Sequence, residues 1–579
     1  MRVHLPGVGP ADDGGEMSVH GETVPVTASD TIASAMVAAG SRGMRDDESA
    51  GRRGVWCGMG VCHECTVSVD GDGGVLACMT PAADGMDVRA QPVRPPLDAF
   101  VEVESTPQSE LTPDVLVVGG GPSGLAATAE LARQGLDVVL VDDRSSLGGQ
   151  YYKQPSKAFS LDEQRLDAQF RAGRALVAEV QASGATILLG TTVWAAFDTD
   201  HVVARSDGQR WVIRPRRLVI ATGAYERGVP VPGWTLPGVM TTGAGQSLLR
   251  SYQVTAGSRI LVAGNGPLNI QLAYELARSG AEVVGLVELG RIMQPTRGGA
   301  VAAMAVASPG LMRDGMRYLA SLVRRRVPLV TGSAVTALEG DPVDGVRRAV
   351  VRRLDRDGCP TGRERTFDVD AVCLGYGFVP SNDLARSLGC EHVFDADRGA
   401  LVTRTDDSGR TSRPDVWVIG DSARVQGAKF AQAQGRLAGS AVALDLSGAD
   451  GRPPAADRRR AARHLRFQDA MLRLFGAPVL TDELAADDTV VCRCENITLG
   501  EMAAGLEDGV TSAGAVKRLT RVGMGKCQGR YCGPVLSALG ARTTGRPAGE
   551  RTGFAPQAPV KPVRLVDVAN PPETSSPVG

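Results

Sequence analysis

The chain has 579 residues, of which 43% are hydrophobic and 22% charged, and its formal net charge is −2. This length suits roughly three or four domains that each bury a core. The near-zero charge gives no basis for nucleic-acid binding, which needs a clustered basic surface, and the sequence holds no apolar run of about eighteen residues. We therefore expect a protein that has no nucleic-acid partner and is not transmembrane.

The first chemical signal is a group of four cysteines near the N-terminus. Cys57, Cys62 and Cys65 follow a C-x4-C-x2-C spacing, and Cys78 lies a short distance beyond them. A tight loop of this kind can place its thiolates on two irons while backbone N–H groups donate to the cluster sulfurs. The spacing therefore predicts a 2Fe-2S cluster held by these four residues. Zinc is the alternative, although zinc sites favour paired C-x2-C hooks. Thiols that must stay reduced also favour a cytoplasmic protein.

The segments before this loop indicate a small β-rich domain. Residues 17–26 alternate polar and apolar side chains around a His-Gly turn, and residues 31–39 show a short apolar helix pattern. Hairpin, helix and cysteine loop in this order resemble a plant-type ferredoxin module, and the resemblance implies a β-grasp domain over residues 1–95. A Pro-rich linker is expected over residues 96–112.

A strand, a glycine-rich turn and a helix follow the linker. Residues 114–118 are predicted to be a buried strand that enters a G-x-G-x-x-G turn, and a second strand, residues 138–141, ends at Asp142. The glycines let the backbone and the helix N-terminus approach a pyrophosphate, and the acid accepts hydrogen bonds from the adenosine ribose. The pattern therefore predicts a dinucleotide site. Its candidate residues are Gly119, Gly121, Pro122, Ser123, Gly124, Asp142 and Asp143.

Three later segments indicate which dinucleotide binds. They contain Gly149 and Gln150, then Ala221, Thr222 and Gly223, and finally Gly420 and Asp421. These segments resemble the recurring elements of the two-dinucleotide-domain flavoproteins. The resemblance implies FAD, held in a discontinuous domain made of residues 113–250 and 366–448. It also implies that Asp421 contacts the ribityl chain, and capping of the next helix is a compatible alternative for this residue.

A second strand-turn-helix unit indicates a further nucleotide domain over residues 251–365. Its turn contains Gly264 and Gly266, and Glu288 closes the following strand. Asn269 replaces the third glycine, which normally permits close packing of the helix on the strand. The sequence therefore predicts an NAD(P)-binding-like fold and leaves open whether a nicotinamide nucleotide occupies it. This region has no C-x2-C pair, which excludes dithiol chemistry of the thioredoxin-reductase type.

Four further cysteines lie near the C-terminus. Cys492 and Cys494 form a C-x-C pair, Cys527 and Cys532 form a C-x4-C pair, and two short predicted helices lie between the pairs. The arrangement resembles the helical bacterioferritin-associated-ferredoxin-like domain, which implies a second 2Fe-2S cluster at these four residues. Zinc would also suit four convergent thiolates. The predicted boundaries are 449–486 for a helical linker, 487–545 for this domain and 546–579 for an extended or disordered tail.

The order of these modules resembles that of one family, the large or alpha subunits of heteromeric amine and amino-acid dehydrogenases. This family includes opine oxidases, hydrogen cyanide synthase, dye-linked proline and hydroxyproline dehydrogenases, and heterotetrameric sarcosine oxidase. The segments Gly375–Pro380 and Gly523–Arg530 make the resemblance fairly specific. In some relatives the ferredoxin module is a separate subunit, whereas here it is fused. The expected fold is a multidomain α/β protein with a Rossmann-like core.

The resemblance implies a division of labour between subunits. An amine or amino acid of the proline, hydroxyproline, sarcosine, glycine or opine class is oxidised at the flavin of a D-amino-acid-oxidase-like beta subunit. The alpha subunit then accepts the electrons and passes them to a downstream acceptor. The resemblance also implies FAD, with NAD or ATP as alternatives at the same nucleotide site, and FMN at the subunit interface in some relatives. None of the six histidines lies in a recognisable catalytic arrangement, so no catalytic residue is assigned.

Two other hypotheses stay open. A self-contained NAD(P)H-dependent reductase would accept hydride at residues 264–288 and pass electrons through FAD to the clusters, although Asn269 counts against it. A non-catalytic scaffold or regulatory subunit would use the clusters only to sense redox state.

Overall fold

The N-terminal segment forms a mixed five-stranded sheet with one covering helix. In this computed structural model, residues 1–93, 106–507 and 512–569 are described. The elements of the first range are β1 (Val8–Ala11), β2 (Asp13–Val19), β3 (Glu22–Thr27), α1 (Ile32–Ala38), β4 (Arg45–Asp46), β5 (Arg52–Arg53), β6 (Thr66–Val69), β7 (Asp72–Leu76) and β8 (Asp87–Ala90). The sheet order is β3-β2-β8-β6-β7. The Thr31 hydroxyl caps α1 by accepting from the Ser34 N–H, and Ile32 and Met36 bury its apolar face.

The central part of the chain alternates strands and helices. Residues 106–252 contain β9 (Gln108–Leu111), β10 (Val115–Val118), α2 (Pro122–Arg133), β11 (Val138–Val141), β12 (Phe159–Leu161), α3 (Ala168–Gln181), β13 (Thr186–Leu188), β14 (Thr192–Asp198), β15 (His201–Ser206), β16 (Gln209–Ile213), β17 (Arg217–Ile220), β18 (Ala224–Glu226), β19 (Val239–Thr241) and α4 (Thr242–Tyr252). Residues 253–380 contain β20 (Arg259–Gly264), α5 (Pro267–Ser279), β21 (Glu282–Glu288), α6 (Gly298–Ala307), α7 (Pro309–Arg324), β22 (Leu329–Thr331), β23 (Ser333–Asp341), β24 (Gly345–Leu354), β25 (Pro360–Asp368), β26 (Ala371–Gly375) and β27 (Phe378–Pro380).

The remaining elements complete the first nucleotide domain and form the C-terminal domain. They are α8 (Asp383–Ser387), β28 (His392–Asp395), β29 (Ala400–Thr403), β30 (Val416–Val418), α9 (Ala428–Ser447), α10 (Ala455–Leu474), β31 (Val490–Cys492), β32 (Ile497–Thr498), α11 (Leu499–Glu507), α12 (Ala513–Thr520), α13 (Cys532–Thr544) and α14 (Leu565–Ala569). None of the helices in the three described ranges is both long and apolar enough to cross a membrane.

Two parallel sheets form the centre of the molecule. The first has the order β13-β11-β10-β17-β30 and the second the order β19-β26-β20-β21-β22, with parallel pairing throughout. Helices α2 and α9 share a buried apolar core with β10 and β17. The predicted strands at 114–118 and 138–141 are confirmed as β10 and β11. Each glycine turn follows the carboxyl end of β10 or β20, where parallel sheets open a crevice for ligands.

Part of the predicted linker is a strand. Residues 94–105 lie outside the described ranges, but β9 pairs in parallel with β16 and extends an antiparallel sheet, with the order β14-β15-β16-β9. The expectation of a linker over all of 96–112 is therefore wrong for residues 108–111. This strand pairs on one side only, and Leu111 is its sole apolar residue, so no apolar run signals it.

The tail also differs from the prediction. Residues 546–569 cross from the C-terminal domain to the first nucleotide domain, where Val560 and Asp567 are buried. Of the two predicted alternatives, an extended or a disordered tail, disorder is wrong for this part of the chain, because scattered contacts, and not an apolar run, hold it in place. Residues 570–579 of the predicted tail lie outside the described ranges.

Candidate redox sites

The four N-terminal cysteines are buried and lie as two pairs. Cys57 shares a hydrogen bond with Cys62, and Cys65 shares one with Cys78. Within the described residues, no three His, Cys, Asp or Glu side chains are placed as ligands of one metal ion, so the thiols stand as pairs. Two pairs match a 2Fe-2S cluster, in which each iron takes two protein ligands.

The backbone of the cysteine loop faces these thiols. The N–H group of Met59 donates to the Cys57 sulfur at 3.5 Å, and the N–H group of Glu64 donates to the Cys62 sulfur at 3.4 Å. Burial opposes ionisation of Cys57, but the hydrogen bonds from Cys62 and from the loop backbone lower the pKa of this thiol to about 6. The loop therefore favours the thiolate of Cys57, the form that binds metals. Burial raises the pKa of Cys62, and the hydrogen bond with Cys65 raises that of Cys78.

The C-terminal cysteines show the same arrangement. Cys492 shares a hydrogen bond with Cys532, and Cys494 shares one with Cys527. The β31–β32 hairpin carries the first two residues, and Cys532 begins α13. The hydrogen bond from Cys494 lowers the pKa of Cys527 to about 7, although burial opposes this. These four side chains could likewise hold a two-iron cluster.

The two cysteine groups meet directly. The Cys494 sulfur lies 4.0 Å from the carbonyl oxygen of Cys62. Between the ligand loops, the side chain of Arg493 is only 3% exposed and forms an ion pair with Glu64 at 3.0 Å. Glu64 also accepts from Arg45 at 2.6 Å. Burial opposes ionisation of Glu64, but Arg45 and Arg493 together hold the pKa of its carboxyl below the ordinary value.

Aromatic side chains enclose this contact. The Arg493 guanidinium lies over the rings of Trp56 and Trp234, 4.4 and 4.7 Å from their centroids. Tyr531 lies with its ring centroid 6.1 Å from that of Trp56 and 5.8 Å from that of Tyr225. All four aromatic residues are buried, so the junction between the cysteine groups excludes water.

The first glycine turn is as tight as the sequence predicts. A Cβ atom at Gly124 would lie 1.8 Å from the carbonyl oxygen of Gly119, and one at Gly149 would lie 2.7 Å from the Cα atom of Gly121. Glycine is therefore needed at both positions for helix α2 and the following loop to pack. Asp142 accepts from the Gly120 N–H at 2.5 Å. Burial and the neighbouring Asp143 raise the pKa of Asp142 to about 6.

A cavity of about 1620 Å³ opens at this turn. The predicted residues that line it are Gly119, Gly121, Pro122, Ser123, Asp142, Asp143, Gly149, Gln150, Ala221, Thr222, Gly223, Asp421 and Gly266. Met59 and Val61, from the first cysteine loop, also line it. This volume exceeds that of an ordinary small-ligand pocket, which is roughly 300–1,000 Å³. The cavity thus joins both glycine turns to the cysteine loop.

Four of the predicted residues do not line the cavity: Gly124, Gly264, Glu288 and Gly420. Gly420 is needed for packing, since its added Cβ atom would lie 2.7 Å from the Ser123 hydroxyl. Asp421 accepts from the N–H groups of Gln426 and Gly427, immediately before α9. It therefore orders the start of that helix and also faces the cavity, so the two predicted roles remain compatible.

Side chains at the second glycine turn bond to its own backbone and to neighbouring elements. Asn269 accepts from the Thr242 hydroxyl at 2.7 Å and donates to the Gly375 carbonyl at 2.9 Å. Glu288 accepts from the N–H groups of Gly266 and Gly290, and burial raises its pKa to about 8. The Asn269 side chain thus fills the space that a glycine would leave between helix and strand.

Two ionisable residues of the cavity carry no sequence signal. Lys153 is 4% exposed and donates to the Gln150 carbonyl at 2.5 Å and to the Gln246 side chain at 3.0 Å. Glu226 accepts from the Gly243 N–H at the start of α4. Burial lowers the pKa of Lys153 to about 7 and raises that of Glu226 to about 7. Only the proximity of Lys153 to the predicted Gln150 could have drawn attention to it.

Comparisons with known proteins agree with this architecture. A pyridine nucleotide-disulphide oxidoreductase family model matches residues 113–435. A 2Fe-2S iron-sulfur cluster binding domain matches residues 16–92, and a BFD-like 2Fe-2S binding domain matches residues 490–539. The predicted fold class is therefore confirmed: a central FAD oxidoreductase domain lies between two 2Fe-2S binding domains.

Several curated proteins are similar over most of this chain. An opine oxidase subunit from Agrobacterium tumefaciens is 31% identical, with 80% of this chain and 92% of the relative covered. Hydrogen cyanide synthase subunit HcnB of Pseudomonas aeruginosa is 33% identical, with 77% and 96% covered. The alpha subunit of sarcosine oxidase from a Corynebacterium is 30% identical, with 67% of this chain but 39% of the relative covered.

A solved structure shares the whole fold. The crystal structure of L-proline dehydrogenase from P. horikoshii superimposes with a TM-score of 0.70 at 20% identity and covers 96% of this chain and 97% of the other. The predicted family resemblance is thus confirmed. The chain belongs to the pyridine nucleotide-disulphide oxidoreductase family, together with the opine oxidase and hydrogen cyanide synthase subunits that it matches.

Proposed function

We propose that this chain is the electron-transfer subunit of a heteromeric amine or amino-acid dehydrogenase. Its relatives support this, because they are subunits of an opine oxidase, a hydrogen cyanide synthase and a sarcosine oxidase. Its substrate would belong to the opine, glycine, sarcosine, proline or hydroxyproline class. A D-amino-acid-oxidase-like beta subunit with its own flavin would carry the pocket for that substrate, and this chain would accept the electrons.

The observation that carries the proposal is an unbroken series of contacts. Met59 and Val61 line the nucleotide cavity from inside the first cysteine loop, and the Cys62 carbonyl of the same loop touches the Cys494 sulfur. Bound FAD would take up two electrons together and release them singly, and 2Fe-2S clusters accept single electrons. The residues of this chain would hold the three groups close together, and the buried side chains around Arg493 would shield the contact between the clusters from solvent.

The cavity residues supply the expected contacts for FAD. Gly119 and Gly121 would leave room for the pyrophosphate at the N-terminus of α2, Asp142 would bind the adenosine ribose, and Asp421 would bind the ribityl chain. NAD or ATP would use the same turn. The cluster ligands would be Cys57, Cys62, Cys65 and Cys78 at one site, and Cys492, Cys494, Cys527 and Cys532 at the other. FMN at the interface with the beta subunit is a further candidate cofactor.

An NAD(P)H-dependent reductase is the second candidate. It is favoured by the extent of the cavity, which reaches Gly266 at the second glycine turn. Two observations weigh against it, since Asn269 fills the helix–strand gap and Glu288, unlike Asp142 at the first turn, does not line the cavity. A nicotinamide nucleotide at the second turn would therefore lack the acid that binds its ribose.

Anaerobic absorbance spectroscopy separates the two candidates. The chain, alone and with its copurifying partner, is mixed with NADH, NADPH, and then proline, hydroxyproline, sarcosine, glycine and opines. We expect bleaching of the flavin and cluster bands by one of these amino acids, and only when the partner is present. Bleaching of the lone chain by NADH or NADPH would instead identify a reductase.

Cysteine variants test the cluster assignment in the same experiment. Cys62→Ser and Cys494→Ser each remove a ligand of one cluster. Each variant should therefore lack the absorbance bands of that cluster and contain about half of the iron of the unmodified chain. Cys359→Ser is the matched control, because Cys359 is exposed and lies outside both groups. A complex with reducible flavin but no cluster reduction by any substrate would contradict the electron-transfer role and favour a scaffold.

A further inference from the structure

The C-terminal tail, residues 546–569, packs on the second cysteine loop. The ring of Phe554 packs so closely on this loop that an added Cβ atom at Gly523 or Gly529 would lie 2.5 or 2.4 Å from it. The Gln528 side chain donates to the Pro559 carbonyl at 2.8 Å. Gln528 lies next to the predicted cluster ligand Cys527, so the shape of the ligand loop determines where the tail runs.

Beyond its contact with the loop, the tail reaches the nucleotide cavity. The buried Arg530 guanidinium donates to the Val560 carbonyl at 2.9 Å, and the Val560 N–H donates to the Trp194 carbonyl at 2.7 Å. The next residue, Lys561, forms an ion pair with Asp143. Val560, Lys561 and Asp143 all line the cavity.

The charges at this end of the cavity explain why a cation there would favour the binding of a dinucleotide. Asp142 and Asp143 are adjacent acids beside the glycine turn, and a dinucleotide brings a negatively charged pyrophosphate to the same turn. An unpaired carboxylate close to a pyrophosphate repels it, and this repulsion weakens the binding of the dinucleotide. Lys561 offsets the negative charge of Asp143. The glycine turn and the N-terminus of α2 can then attract the pyrophosphate without repulsion from that carboxylate.

We propose that Lys561 is a residue of the nucleotide site, and that the tail couples dinucleotide binding to the folding of the second cysteine loop. The proposal rests on the assignment of FAD to the first glycine turn. When the loop is folded, Phe554 and Arg530 hold the tail in place and Lys561 pairs with Asp143. Because such coupling is reciprocal, FAD binding stabilises the folded loop to the same extent as the folded loop strengthens FAD binding.

The first test is the affinity of the full-length chain for FAD after the flavin has been removed. Lys561→Ala should weaken FAD binding by about tenfold, since it removes the ion-pair partner of Asp143 near the pyrophosphate, and Lys561→Arg should restore most of it. Lys157→Ala is the matched control, because Lys157 is exposed and does not line the cavity. Equal FAD affinities for Lys561→Ala and the unmodified chain would overturn the proposal.

The second test moves away from the cavity. Phe554 contacts no cavity residue, but Phe554→Ala removes the ring that holds the tail on the loop. We therefore expect weaker FAD binding with an unchanged iron content. Conversely, Cys532→Ser, which unfolds the loop, should weaken FAD binding by a similar factor. FAD affinity that is independent of both variants would show that the coupling does not exist.

Failure of the proposed function can be told apart from failure of this proposal. The affinity measurements need neither the partner nor a substrate, so they stand if no amino acid reduces the complex. If the chain binds NAD or ATP in place of FAD, the same variants are titrated with that nucleotide, and the same contrast between Lys561→Ala and Lys157→Ala is expected.

Discussion

Two buried carboxylates show how strongly the immediate neighbours of a residue determine its charge. Glu64 lies between Arg45 and Arg493, and these cations hold its pKa below the ordinary value despite burial. Glu288 is also fully buried, but it accepts from the backbone N–H groups of Gly266 and Gly290, and burial raises its pKa to about 8. At neutral pH Glu64 is therefore ionised, whereas Glu288 holds a proton.

Glu288 makes stability depend on pH. Its pKa is about 8 in the folded chain and has the ordinary value of 4.5 in the unfolded chain, so the folded state keeps a proton that the unfolded state releases. Stability should therefore fall as the pH rises from about 4.5 to 8, by about 1.4 kcal/mol per pH unit, and not fall further above pH 8. The measurement is the thermal midpoint of the chain at pH 5, 6, 7 and 8.

Glu288→Gln is the comparison protein for this measurement. The variant loses one backbone hydrogen bond, so it should be about 1–3 kcal/mol less stable at pH 5, but it should lack this contribution to the pH dependence. A midpoint that falls with pH as steeply in the variant as in the unmodified chain would contradict the assignment.

Arg493 should be far more important to stability than an exposed arginine. Arg493→Met leaves the buried Glu64 with Arg45 alone and removes the stacking on Trp56 and Trp234, so we expect a loss of about 3 kcal/mol. The double variant Arg493→Met with Glu64→Gln should recover part of this loss. Arg518→Met, on the exposed face of α12, is the control. Equal thermal midpoints for the two single variants would show that the ion pair contributes nothing.

At the scale of elements, the two glycine turns solve the same packing problem in different ways. Helix α2 approaches β10 so closely that no Cβ atom fits at Gly124. Helix α5 carries Asn269 at the corresponding position and is linked by it to α4 and β26. The first contact depends on the absence of a side chain, and the second depends on two hydrogen bonds.

Substitution at these two positions should therefore have different effects. Gly124→Ala forces α2 away from the Gly119 carbonyl, so we expect the purified chain to retain less than about a tenth of its FAD while keeping its cluster iron. Asn269→Ala should retain FAD and lose about 1–3 kcal/mol of stability, because it leaves buried polar groups unpaired. Flavin and iron analysis of the two variants checks both expectations. Full FAD content in Gly124→Ala would disprove the close-packing argument.

Local patterns predicted some elements and missed others for physical reasons. The strand Val138–Val141 is a continuous apolar run that leads to an acid, so its bounds could be read from the sequence. Strand β9 and the packing of Phe554 on the second cysteine loop could not be read from the sequence, because each depends on a partner distant in the chain. The meeting of Cys62 with Cys494 has no local signal either, since more than 400 residues separate them. The cysteine spacings predicted both groups but not their contact.

At the scale of the whole molecule, the N-terminal domain is packed against the second nucleotide domain. Met36 of the first shares one apolar core with Val254 of the second and with Leu248 of helix α4, which leads into it. The Thr255 N–H donates to the Met1 carbonyl at 3.0 Å, and the Val3 N–H donates to the Gln253 carbonyl at 2.9 Å. The peptide link therefore joins two domains that already share a buried core.

This interface should hold without the peptide link. When residues 1–93 and 106–579 are produced together as two chains, we expect them to copurify as one particle in size-exclusion chromatography. Leu248→Glu should separate them, since it buries an unpaired charge in the shared core. Leu519→Glu, at a 60% exposed position, should not. Separation of the unmodified fragments would show that the linker, and not the core, joins the domains.

The shared core also has a kinetic consequence. Many ferredoxin-like carriers collect an electron at one place and deliver it at another, and their rates fall when glycerol or sucrose thickens the solvent. Here Met36 and Leu248 lie in one buried core, so under the proposed function the electron would cross a gap of constant length. The internal transfer rate should then be independent of viscosity, and any slowing in thick solvent would come from the encounter with the acceptor.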